Sequence, residues 1–113
     1  MSHTIKLTNV NLDPEAFKRV AAHLKLKVTE GPQRLFGGQT VTGVGVQLPG
    51  WNYPVVVDDK GHVSYDNYHG HWGDIKELDR ITGLTMLEMQ GENLDDYKVV
   101  QRGNTTEFVY LDA

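Results

Sequence analysis

"VTGVGVQLPGWNYPVVVDDKGHVSYD", residues 41–66, is the stretch that decides the fold class. From Thr40 onward the side chains alternate, with Thr42, Val44 and Val46 on one face and Val41, Gly43 and Gly45 on the other. "PGWN" is then a turn, "YPVVV" a short strand, "DDKG" a hairpin turn and "HVSYD" the partner strand. Strands joined by turns this short are antiparallel neighbours, since a parallel crossover needs roughly a dozen residues or more. The two glycines inside the first strand imply a bulge, a sharp bend or close approach of another backbone. Pro54 places its strand at an edge, or itself at the strand's start.

Working outward, "HTIKLTNV" near the N-terminus has strand character. "NLDPEAFKRVAAHL" carries a full helix-start signal, with Asp13 at the N-cap, Pro14 in the first helical position and Glu15 in the first turn. Leu12 and Phe17 have the spacing of a hydrophobic staple. Phe17, Val20, Ala21 and Leu24 form an apolar stripe, so a helix is expected over residues 14–25. On the far side, Asp74 with Glu77 three residues later forms a capping box that opens a second helix. Its buried face is Ile75, Leu78, Ile81 and Leu84, and the pattern favours continuation through "LTMLEM" despite Gly83, which costs about 1 kcal/mol relative to alanine. "YKVVQR", "GNT" and "TEFVYL" make a closing hairpin.

The expected order is β-α-β-β-β-α-β-β. It is an α+β fold in a single domain of 113 residues, with an antiparallel sheet carrying both helices on one face.

Composition narrows the function. The net charge of −4 and eleven scattered Lys and Arg residues argue against a nucleic-acid surface, which needs clustered cations. The absence of cysteine excludes disulfides, thiol catalysis and thiolate metal sites. No apolar run nears the roughly 20 residues of a membrane span, and "MSHTIKLTNV" is unlike a secretory signal. A cytoplasmic protein, or one in an equivalent interior, is expected.

Four segments carry a family resemblance: "MSH" with "IKLTNV", the helix ending "HLKLKV", the central "RLFGGQTVTGVGV" and the tail "YKVVQRGNTTEFVYL". Together they resemble a family of small hypothetical proteins, a domain of unknown function encoded in plastid genomes, cyanobacteria, other bacteria and phages. Phe36, Gly38, Gln39 and Thr40 fall near that family's aromatic-Gly-Gln-Thr element, with Gly37 as a variation. "TGLTMLEM" departs from the family's longer second helix, rich in Gln, Arg, Tyr and Ala. The resemblance implies a small α+β protein whose bacterial neighbourhood includes an AAA-type ATPase. It transfers no catalytic residue.

Three groups are candidate sites. His69 and His71 in "NYHGHWGD" would share a face if extended and, with His62 and Asp74, supply divalent-metal ligands. The bland reading is a glycine-hinged loop whose imidazoles are solvated or stack on aromatics. Trp51, Tyr53, Tyr65, Tyr68 and Trp72 offer a protein-recognition patch, or else cross-strand pairs and a plug at the sheet edge. "FGGQT" exposes backbone N–H groups but lacks the Lys-Ser/Thr ending of a phosphate loop. Neither serine, Ser2 nor Ser64, sits in a nucleophile motif. The sequence therefore points to a non-enzymatic adaptor or inhibitor that binds a protein, with a metal- or small-ligand-binding domain as the alternative.

Overall fold

A computed structural model describes residues 2–7, 11–35, 39–68, 75–103 and 105–111. In chain order these form β1 (Ser2–Leu7), α1 (Pro14–His23), β2 (Lys27–Arg34), β3 (Thr40–Gln47), β4 (Val55–Asp58), β5 (Val63–Tyr68), α2 (Ile75–Met89), a 3-10 turn (Leu94–Asp96), β6 (Tyr97–Arg102) and β7 (Thr105–Tyr110). The class is α+β, and every strand pairing is antiparallel.

Two parts of the expected architecture need correction. The first is an additional strand, β2, which pairs along its whole length with β3 from Lys27↔Gln47 to Arg34↔Thr40. "KVTEGPQR" hides it because Gly31 takes φ +106° and Pro32 cannot donate to a ladder. Both are tolerated because β2 is the edge of a five-stranded sheet ordered β1-β5-β4-β3-β2. The second is that β6 and β7 do not close this sheet. They form a two-stranded sheet of their own. Consequently the helices do not simply share one face of one sheet. α1 lies over β2, β3 and β4, while α2 packs beside α1 and also contacts β7 of the hairpin.

α1 begins as its sequence dictates. The Asp13 carboxylate accepts from the Glu15 N–H, and Pro14 opens the helix. It ends two residues earlier than the stripe implies. Leu26 N–H donates to Ala21 O at 2.9 Å and Lys25 N–H to Ala22 O at 3.1 Å, a Schellman closure with Lys25 at φ +60°. α2 runs unbroken through Gly83 to Met89. The expected cap, Asp74, lies outside the described residues.

The core is the alternation made physical. Val44 and Val46 of β3 stand beside Val57 and Val55 of β4, and Val57 stands beside Val63 of β5. Leu12, Phe17, Val20 and Ala21 of the α1 region and Leu78, Ile81 and Leu84 of α2 close over them. The opposite parity of the sheet holds Val56, Ser64 and Gln33, also buried. There the Gln33 carboxamide lies over Gly45 and accepts a hydrogen bond from the Thr29 hydroxyl at 2.8 Å. Pro54 stands just before β4, so the central strand keeps all its ladder donors.

Candidate functional site

Each expected site residue has a definite place or lies outside the description. His62 ends the β4–β5 turn, and Asp58 organises that turn. One oxygen of its carboxylate accepts from the N–H groups of Lys60 and His62, both at 2.9 Å. The other lies 3.9 Å from His62 Nδ1, a buried nitrogen with no hydrogen-bond partner among the described residues. His69, His71 and Asp74 fall outside the described residues. Among the described residues no three His, Asp or Glu side chains converge to hold an ion.

The aromatic candidates divide. Trp51 is 5% exposed and meets Tyr65 edge-on, ring centroids 6.0 Å apart. Its area is spent on the core, where a large ring contributes most. Burial, and secondarily the Asp79 carboxylate, hold the Tyr65 phenol above its ordinary pKa. Tyr53 is half-buried between β3 and β4. The Tyr68 side chain and Trp72 lie outside the description. In the glycine-rich segment, the Gln39 carbonyl accepts from Leu35 N–H at 2.8 Å, which makes it part of the β2–β3 connection. Gln39 and the adjacent Thr40 are exposed and border a cleft of about 420 Å³ with Asp58, Asp59 and Lys60. Phe36 and Gly38 are not described.

The surface that stands out reads in the sequence only as a closing hairpin. The inner face of β6–β7 presents Val99 and Phe108 to the core, and the Phe108 ring occupies the space a side chain at Gly83 would fill. Tyr97 and Tyr110 follow on that face, edge to face at 5.5 Å. Where the hairpin, α1 and α2 meet, a cleft of about 510 Å³ is lined by His23, Arg80, Leu84, Leu94, Tyr97 and Val99 among others. Around and beyond it stand large apolar side chains in solvent: Met86 and Met89 on α2, and Val109, Tyr110 and Leu111 at the end of β7. The sequence does contain the signal. In a strand with one solvated face apolar residues alternate, whereas "FVYL" is apolar at four consecutive positions.

Among the described residues, no helix is long and apolar enough to cross a membrane. Set against models of protein families, curated proteins and solved structures, the chain matches none of them.

Proposed function

We propose that the protein is a non-enzymatic protein-binding module, an adaptor or an inhibitor, whose contact face is formed by α2 and the β6–β7 hairpin. One observation carries this reading: Met86 on α2 and Tyr110 on the inner face of β7 are 49% and 57% exposed, on two elements joined through Gly83 and Phe108, and Val109 adds exposed apolar area on the hairpin's outer face. Single exposed apolar residues are ordinary, whereas several on two joined elements suit an interaction surface. The residue types also suit the task. Methionine adapts to irregular partners, and tyrosine brings large contact area with a polar tip. The resemblance to the plastid, cyanobacterial and phage family adds a partner class, an AAA-type ATPase. The compartment that goes with it is the cytoplasm or the equivalent interior of a plastid or infected host.

Affinity capture from the source cells tests the reading. The unsubstituted bait should retain a partner, and retention should fall at least about tenfold with Met86→Asp plus Tyr110→Asp, while the unfolding midpoint stays near that of the parent. Tyr53→Ala and Trp72→Ala baits are the comparison. Loss of the partner with those, and not with the α2–hairpin pair, would place the contact on the aromatic loop.

A second reading, a divalent-metal or small-ligand site, draws on one observation, the unpartnered His62 Nδ1 beside Asp58. It expects purified protein to carry stoichiometric zinc, iron or manganese that His69→Ala and His71→Ala remove. Metal-free protein whose thermal unfolding ignores both chelator and added divalent ions rules it out.

A further inference from the structure

We infer that the cleft between α2 and β6 is a binding site for a small monoanionic amphipath, a carboxylic acid carried on a flat apolar body. The inference goes beyond the contact-face reading and stands without it.

The cleft exists because α2 meets the hairpin along one strand. The contact is through β7, where the Phe108 ring covers Gly83, and the space opens on the β6 side. Its volume of about 510 Å³ falls within the roughly 300–1,000 Å³ of small-molecule sites.

The lining is divided by chemistry. Leu84 and Leu94 are buried, and Leu24 and Val99 pack partly buried beside them, so one part of the cleft is aliphatic. The Tyr97 ring adds an aromatic wall. On α2, Lys76, Arg80 and Leu84 stand at i, i+4 and i+8, so a single stripe of the helix runs from two cations to a buried leucine. A ligand with an anionic head and an apolar body matches that gradient, which is the usual composition of a small-molecule site.

The head group follows from the charges. Arg19 and Arg102 are tied to Glu88 and Glu107, whereas Arg80 is exposed and makes no ion pair among the described residues. Its planar fork suits a carboxylate bound through both oxygens. Lys76 lies in the first turn of α2, where the helix dipole opposes a cation, so helix stability does not account for it. Lys76 and Arg80 set against Glu77 leave one net positive charge, and a protonated His23 is offset by Asp95 at 3.8 Å. One carboxylate balances that surplus. A phosphate monoester, with about 1.5–2 negative charges, overshoots it and is repelled by Glu77.

The walls are held in place without a ligand. The Asn93 side chain accepts from Asp95 N–H at 3.0 Å and caps the 3-10 turn that carries Leu94. Leu111 N–H donates to Asp96 O at 2.7 Å and fixes the same turn to the end of β7. Little ordering is therefore left for binding to oppose.

Titration with naphthoate, followed by amide NMR shifts, tests the site. Shifts are expected at Leu84, Leu94 and Val99 but not in β3 or β4, with a Kd below about 1 mM. Naphthamide and naphthylmethylammonium share the apolar body and should bind at least about tenfold more weakly, and naphthyl phosphate should also bind more weakly. Arg80→Gln, at an exposed position, should weaken naphthoate at least about tenfold, and Arg80→Lys should recover only part of the loss. No shifts in the cleft at about 10 mM naphthoate, equal binding of the acid, amide and ammonium, or full binding by Arg80→Gln would overturn the proposal. Tighter binding of naphthyl phosphate would overturn it too, since the charge count then fails. If naphthoate does not bind and Arg80→Gln releases the partner captured by the contact face, the cleft belongs to that face and the small-ligand site is defeated.

Discussion

Gly43→Ala is expected to destabilise the protein by about 3 kcal/mol, a large share of the 5–15 kcal/mol that typically holds a domain folded. Gly43 pairs with Asp58 across β3 and β4. A β-carbon there would press into the Val57 carbonyl oxygen and stand 2.9 Å from the Asp58 Cα. Both obstacles are backbone in the central strand of the five-stranded sheet, so neither can rotate aside. Relief requires β3 and β4 to separate just where Val44 and Val57 pack side by side in the core. Gly50→Ala is the control. Gly50 has φ +78° and open space around it, so alanine there carries only the left-handed backbone penalty, about 1–2 kcal/mol. Urea unfolding of the two variants should separate them clearly. A Gly43→Ala protein within about 0.5 kcal/mol of the parent would mean the strands do not approach as described.

The second large effect is one of sign. Helix propensity says that Gly83→Ala should stabilise α2 by about 1 kcal/mol. The structure says the opposite, because the new methyl would enter the Phe108 ring at Cε2 and Cζ, with Cε1 at 3.2 Å. The ring is only partly buried, so it can turn aside, but only by giving up its contact with the core. Phe108 sits on a hairpin strand and is packed against the core. We expect a net loss of about 1–3 kcal/mol. It should be concentrated in the hairpin, whose amides would exchange faster while those of β3 and β4 change little. Phe108→Leu in the same protein should restore much of the loss, and the double-mutant cycle would show a coupling of about 1 kcal/mol or more. A stabilised Gly83→Ala protein would detach the hairpin from α2 in this account.

These two glycines also show what the sequence could and could not reveal. Gly43 is legible in kind: a glycine inside an alternating strand calls for a close backbone approach, and one is found. Gly83 reads as a liability, because its reason, the Phe108 ring, lies 25 residues away and no local pattern points to it. The same division runs through the fold. α1 and the β3–β4–β5 meander are written in local signals: the cap at Asp13, the stripe from Phe17, and turns with Asp and Gly. β2 is not, since an edge strand tolerates Gly31 and Pro32 and needs no apolar alternation. The hairpin's existence was visible, yet alternation fixes which face of a strand is buried, not which sheet the strand joins.

The candidate sites follow that logic. Trp51 in a loop reads equally as an exposed anchor or a core ring, and only tertiary packing puts it at 5% exposure. The apolar run Phe108–Leu111 carried a real signal, an outward face that is not polar, but it needed the hairpin's isolation to become meaningful.

The claim on which the functional account turns is that association occurs through the β6–β7 hairpin and not through the five-stranded sheet. Amide-resolved hydrogen exchange, measured with and without the captured partner, tests it directly. Protection is expected to rise with partner bound in β7 and the C-terminal half of α2, while the outer amides of β1 and β2 stay unchanged. Rising protection along β1 or β2 with none in β7 would contradict it.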